Sequence, residues 1–233
     1  VLDGDQLDFR EAGDVGRVGV FGCHRAVVVP GRELLADRRV EVFEIGLRHL
    51  FRAAFLRHAI EDGALGVHYQ PIVETATGRI VALESLVRWP QPDGSVRLPA
   101  AFVPLAEEAG LIRSLTRCVL DEVCHQLARW DRELGGVQDL QMWVNVSVTD
   151  LEDPDVVGDV AGAVRRAGLS TDRVVLEVTE TMLMRDAVQV GRTVEALRDI
   201  GISMAIDDFG TGYSSMSQLR QLDVTACKID QGF

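Results

Sequence analysis

One pattern limits the folds open to this chain. From about Trp89-Pro90 onward, short runs that are apolar on both faces alternate with stretches of helical period. The runs are Met142–Val146, Val174–Val178, Ile202–Ile206 and Thr225–Ile229. Between them, Ile112, Leu115, Val119, Val123, Leu127, Trp130 and Leu134 mark a long helix. A second helix opens at Asp153-Pro154, with Asp as cap and Pro in the first turn, and closes at Gly168. A third covers about Ala187–Arg198 and ends at Gly201, and a short one follows near Ser214–Leu219. Strands apolar on both faces need cover on both, so helices must flank a parallel sheet. The sheet is then either an open doubly wound one or a closed barrel. No G-x-G-x-x-G or G-x-x-x-x-G-K-[ST] loop follows the first strands, which weakens the open nucleotide-binding form.

The chain ahead of this rhythm reads differently. Phe43, Leu47, Leu50, Phe51, Ala54, Phe55 and Ala59 recur at helical spacing, and Gly63 is placed to end that helix. Leu65–Val73 and Ile80–Val87 then alternate around Thr77-Gly78, the signature of an antiparallel hairpin. Residues 1–42 form a less defined lead, with short strand-like runs at Val18–Phe21 and Val27–Val29. The expected organisation is therefore a lead over 1–42 and a folded domain over 43–233.

The acids fall at telling places. Glu84, Asn145, Glu177 with Glu180, Asp207 with Asp208, and Lys228 with Asp230 lie at or near the ends of five successive strands. In a parallel barrel those C-terminal ends share one rim, where barrel active sites are built. Each residue alone has a plain reading: a solvated loop acid, a turn-forming Asp-Asp, a surface lysine. Five in succession are harder to dismiss. Crowded carboxylates resist ionisation unless a cation neutralises them, and an all-oxygen set suits Mg²⁺ or Mn²⁺. Two such ions suit attack of water at phosphorus, with Lys228 free to neutralise phosphate charge or orient the water.

The chain carries 24 Lys plus Arg against 36 Asp plus Glu, a net charge of −12. That balance argues against a nucleic-acid polymer or an anionic membrane as partner. It leaves room for a phosphate ligand at a metal-charged rim. Cys23, Cys118, Cys124 and Cys227 form no C-x-x-C pair and no zinc spacing, which points to buried or reduced structural thiols. No membrane span or signal peptide is visible, so a cytoplasmic setting is expected, with any anchor lying upstream.

The same residues resemble the EAL family of cyclic di-GMP phosphodiesterases from about Phe51 onward. The matching elements are His68-Tyr69-Gln70-Pro71-Ile72, Glu84-Ser85-Leu86 with Arg88-Trp89, Val144-Asn145-Val146-Ser147, Glu177-Val178-Thr179-Glu180, Asp207 to Ser215, and Lys228-Ile229-Asp230. Ser85 stands where the family has Ala. The resemblance implies a TIM-like barrel with its first strand antiparallel to the rest. It implies that Glu84, Asn145, Glu177, Asp207 and Asp208 hold two Mg²⁺ or Mn²⁺ ions. Lys228, with Glu84 and Asp207, would carry the chemistry. Gln70, Leu86, Arg88 and Asp230 would contact the dinucleotide, and Glu180 would anchor the loop after Asp208.

The implied reaction converts cyclic di-GMP to linear pGpG in bacterial second-messenger signalling. The alternative is a non-catalytic EAL module that binds cyclic di-GMP or a protein partner as a regulator. The family pattern continues with two more strands, the first bearing a catalytic glutamate. The barrel is thus expected to be incomplete over 43–233, lacking strands 7 and 8, and the 233 residues alone to turn over poorly. A homodimer is expected for the parent protein. Gly16–Phe21 is faintly similar to the last strand of a GGDEF domain, so the lead is either that tail with a linker or an unrelated segment.

Overall fold

The computed structural model describes residues 49–135, 137, 139–179, 187–210 and 224–229. The lead over 1–42 and the short helix expected near Ser214–Leu219 lie outside them. The first described element is a helix over residues 49–61, α1, which buries Leu56, Ala59 and Ile60. Its end near Gly63 is where the sequence places it.

Next come β1 (Gly66–Val73) and β2 (Ile80–Pro90), paired antiparallel with Gln70 opposite Glu84. The Gly78 amide donates to the Glu74 carbonyl at 2.8 Å and closes the hairpin turn. A two-residue strand, β3 (Val96–Arg97), folds back on the end of β2. A 3₁₀ turn at Pro99–Ala101 leads into α2 (Val103–Glu108), and α3 spans Ile112–Leu134. Neither β3 nor α2 is foreshadowed by periodicity, because each is shorter than two full repeats of its pattern.

The rest alternates as the sequence dictates: β4 (Gln141–Asn145), α4 (Val148–Glu152), α5 (Val156–Ala167), β5 (Val174–Thr179), α6 (Ala187–Asp199), β6 (Ser203–Phe209) and β7 (Ala226–Ile229). The sheet order is β1-β2-β4-β5-β6-β7, with β3 attached to β2. Every pair from β2–β4 to β6–β7 is parallel. This is a curled part-barrel with an antiparallel first strand. Within the described residues β1 and β7 are its two edges.

Periodicity on each strand sets which residues face the interior. Met142 and Val144 are fully buried on one face of β4, while Gln141, Trp143 and Asn145 occupy the other. β5 is buried throughout except at Thr179, which fits a central strand covered on both sides. The helical cover is anchored by Leu120, Val123 and Leu127 of α3, Val160 of α5 and Leu197 of α6, each at most 1% exposed. Each such leucine withdraws enough apolar surface to contribute about 2–3 kcal/mol. Trp89, at the end of β2, is fully enclosed between Phe55 and Phe102, with ring centroids 5.5 and 5.7 Å away.

The opening of α5 differs from expectation. Asp153 ends α4 rather than capping α5, and the helix starts at Val156. The Asp153 carboxylate instead accepts from the Asp155 amide at 2.9 Å, forming a turn between the two helices. The unforeseen α4 explains the shift, because it consumes the residues that read as a helix approach. At the other end, Gly168 adopts φ +71 as the left-handed cap expected of it. Gly201 has φ +87, and a Cβ there would sit 2.6 Å from Thr171 Oγ1.

Candidate active site at the strand ends

Lys228 is the only lysine in the chain; every other strong base is arginine. It projects from β7 into the part-barrel. Its ammonium lies 2.9 Å from Glu84 Oε2, 2.8 Å from Glu177 Oε1 and 3.3 Å from Asp207 Oδ1. Carboxylates from β2, β5 and β6 thus converge on one cation from β7. Asn145 supplies the group from β4, with its Nδ2 3.5 Å from both Glu84 Oε1 and Glu177 Oε2.

The convergence follows from strand register. Asn145 pairs with Glu177, and Thr179 pairs with Asp207, so parallel neighbours lift successive acids around the interior. Gln70, directly across from Glu84, belongs to the same face, as do Leu86 and Arg88 at alternate positions along β2. Arg88 turns its guanidinium to the Val87 carbonyl at 3.0 Å. Leu86 lines a cleft of about 570 Å³ together with Glu84, Asn145, Asp207 and Asp208. Glu180 and Asp230 lie outside the described residues.

Adjacent strand residues normally point to opposite faces, yet Asp207 and Asp208 line the same cleft. The β6–β7 register breaks between Ile206 and Phe209, and Asp208 has φ +55, among the described residues the sole non-glycine with positive φ. A bulge with a left-handed residue takes the backbone at Asp208 out of regular strand geometry. The left-handed conformation costs an aspartate less than most residues, yet still about 1 kcal/mol.

Electrostatics mark Glu177 as the pivotal group. Its side chain is fully buried, and burial pushes its carboxyl up to about 7. Glu84 and Asp207 add to that push, while the hydrogen bond and charge of Lys228 oppose it. Lys228 Nζ is 2.8 Å from Glu177 Oε1, the shortest of its three contacts. Burial pulls the Lys228 ammonium downward, but Glu177 and Glu84 outweigh it and raise its pKa above that of a free lysine. Lys228 therefore holds its proton firmly in this arrangement.

The donor set fits a hard divalent cation. It offers three carboxylates and, with the Asn145 amide turned, a carboxamide oxygen; amide orientation is interchangeable at this level. Glu177 Oε1, buried and 2.8 Å from Lys228 Nζ, belongs to the same cluster. As they stand among the described residues, no three His, Cys, Asp or Glu side chains are arranged to hold a metal ion. The physical reason is that the carboxylate oxygens surround the larger ammonium of Lys228.

Sequence reasoning passed over the support beneath this site. Just after Asn145, the Asp150 carboxylate oxygen Oδ2 accepts from the Ser147 amide at 2.9 Å, the Ser147 hydroxyl at 2.8 Å and the Thr116 hydroxyl at 2.9 Å. Ser147 in turn caps α4 through Asp150. The Ser-x-x-acid spacing of a capping box was the available signal. Ser85 is also bonded: its hydroxyl donates to the Trp143 carbonyl at 2.8 Å, tying β2 to β4 beside Glu84.

The acids of this TIM-like part-barrel gather at the C-terminal ends of its strands, where barrel active sites are built. The EAL domain family model matches residues 53–233, and the chain belongs to that family. It is 40% identical over 178 residues to the bifunctional diguanylate cyclase/cyclic di-GMP phosphodiesterase MucR of Pseudomonas aeruginosa, covering 76% of this chain and 26% of MucR. It is 41% identical over 178 residues to the cyclic di-GMP phosphodiesterase NbdA of the same organism, covering 76% of this chain and 22% of that protein. The chain thus spans roughly a quarter of these curated relatives. Among solved structures, the MucR phosphodiesterase in complex with cyclic di-GMP matches with a TM-score of 0.71 at 40% identity, covering 76% of this chain and 71% of that one. The FimX EAL domain from Pseudomonas aeruginosa bound to cyclic di-GMP matches with a TM-score of 0.69 at 25% identity, covering 78% and 72%. No helix among the described residues is long and apolar enough to cross a membrane.

Proposed function

We propose that this chain is the phosphodiesterase module of a protein that hydrolyses cyclic di-GMP to linear pGpG with two Mg²⁺ or Mn²⁺ ions. The observation that carries the reading is the meeting of Glu84, Glu177 and Asp207 on Lys228, 2.8–3.3 Å from its ammonium, beside Asn145. Glu84, Asn145, Glu177, Asp207 and Asp208 would hold the ions. When bound, such ions supply Lewis acidity toward phosphate and lower the pKa of water.

The chain's own residues then do the rest. Glu177, sealed from solvent, keeps the rim's electrostatics independent of bulk water. Lys228, set among the rim carboxylates, is placed to steady phosphoryl oxygen charge or to orient the attacking water. The cleft beside Leu86 would exclude water from one side of the ligand, and Gln70 and Arg88, on the same face of the β1–β2 hairpin as Glu84, would orient it. Asp230 and the Glu180-anchored loop complete the proposed contacts. The same reading takes the protein as a homodimer acting in the cytoplasm, with a GGDEF or sensor segment upstream.

A receptor that binds cyclic di-GMP without cutting it is the rival. Glu84, Asn145, Glu177, Asp207 and Asp208, the ligands of the family pattern that fall within this chain, are all present, which favours the enzyme. Asp207→Asn separates the two in the full-length protein. An enzyme loses at least a hundredfold in pGpG production, followed by chromatography, while signalling output from a receptor tracks binding alone. Retained turnover in Asp207→Asn removes the basis of the proposal.

A further inference from the structure

Lys228 has a second property beyond the proposed chemistry. Its three carboxylate partners stand 2.8–3.3 Å from the ammonium nitrogen. Oxygen ligands approach Mg²⁺ at about 2.0–2.1 Å. A metal drawing on Glu84 Oε2, Glu177 Oε1 or Asp207 Oδ1 at that distance competes with the ammonium for the oxygen it takes. A lysine charge held among the ligands would also repel an incoming divalent ion.

The strand that carries Lys228 is suited to yield. β7 is four residues long. Its pairing with β6 is interrupted between Ile206 and Phe209. Its start is pinned by Thr225, whose amide and hydroxyl both donate to the Met204 carbonyl at 2.9 Å. The lysine side chain is long, and at 28% exposure it already has a route to solvent.

We infer that Lys228 is a built-in counter-ion that the metal displaces. Without metal it closes the rim by pairing with Glu84, Glu177 and Asp207; metal loading releases its ammonium toward the cleft, where the anionic ligand binds. One lysine thus pairs the rim carboxylates and becomes available to phosphate only once the ions are in place. This inference rests on the metal-dependent reading of the same site. The chain offers an unusual handle on it, because Lys228 is its only lysine. A guanidinium is planar and bulky, so the compact ammonium is the better fit to a three-carboxylate pocket.

Two measurements test it. In the first, Mn²⁺ is titrated calorimetrically at pH 8 into wild type, Lys228→Met and Lys228→Arg. Displacement predicts that Lys228→Met binds Mn²⁺ tenfold or more tightly than wild type, and that Lys228→Arg, which keeps the charge, does not. Equal or weaker binding by Lys228→Met, with wild type still binding, overturns displacement alone. Silence of wild type and variants toward Mn²⁺ overturns the metal-dependent reading, and displacement with it. In the second, wild type is reductively dimethylated with and without Mg²⁺, and the Lys228 peptide is quantified by mass spectrometry. This needs no variant to fold. Mg²⁺ should raise the modification rate at least threefold over the EDTA control; an unchanged or lower rate overturns displacement.

Discussion

Replacing Glu177 with Gln should abolish hydrolysis and yet stabilise the metal-free protein. Glu177 is fully buried and its carboxyl is raised to about 7 from 4.5. A carboxyl whose folded pKa lies above its unfolded one holds its proton better in the folded state. Its contribution is fully present below about pH 4.5 and is lost as pH rises through 7. That rise corresponds to about 3 kcal/mol of lost stability by pH 8, of which about 1 kcal/mol is lost by pH 5.5. Glutamine has nearly the same shape and cannot ionise, so it escapes the loss. The advantage of Glu177→Gln over wild type in EDTA should therefore grow by roughly 2 kcal/mol between pH 5.5 and 8. For a domain of this size that is about 4–8 °C in melting temperature. Urea denaturation in EDTA at several pH values gives the free energies. Mg²⁺ should narrow the gap by stabilising the wild-type carboxylate alone. A variant less stable than wild type at pH 8, or a gap that does not change with pH, would refute the reasoning.

Other substitutions probe the frame around the rim. Asp208→Gly should keep the fold, because glycine adopts φ +55 freely, while lowering turnover at least tenfold; unchanged turnover would contradict a role for Asp208 at the rim. Asp150→Ala should destabilise by about 2–4 kcal/mol in denaturant titrations, because it strands the buried Ser147 and Thr116 donors; a cost under 0.5 kcal/mol would show the network to be dispensable. Burial pushes the Cys124 thiol up to about 12, aided by Asp121, whereas Cys227 is exposed on β7. Alkylation at pH 8, mapped by mass spectrometry, should mark Cys227 readily and leave Cys124 unmodified until the protein unfolds. Equal rates would mean that Cys124 is not sealed in the native state.

Much of this fold was legible because parallel barrels write themselves plainly. Buried strands such as β5 are apolar at nearly every position, and α3 repeats its core residues for 23 residues, so both period and boundaries stand out. The hairpin of β1 and β2 announced itself through Thr77-Gly78. What escaped were the elements too short to show a period: β3, α2 and α4. The Asp153 misreading came from that gap, since a five-residue helix leaves no rhythm of its own.

The site residues were legible as residues but not as an arrangement. That Glu84, Glu177 and Asp207 would meet depends on register across β2, β5 and β6, a long-range property no local pattern encodes. The bulge at Asp207 and Asp208 likewise needs the pairing partner to be seen. Cys227, grouped with thiols expected to be buried or simply reduced, is a free and exposed one because it faces outward from β7. The single lysine was in view from the start, and only its three carboxylate partners gave its rarity a meaning.

Cyclic di-GMP turnover by the full-length protein bears most directly on the central claim. Purified protein is incubated with cyclic di-GMP in Mg²⁺ or Mn²⁺, with parallel samples in EDTA and with Glu84→Ala. The account predicts linear pGpG from wild type with metal, and loss of at least a hundredfold in both controls. Uncut cyclic di-GMP in all three samples, or equal turnover in all three, would contradict it.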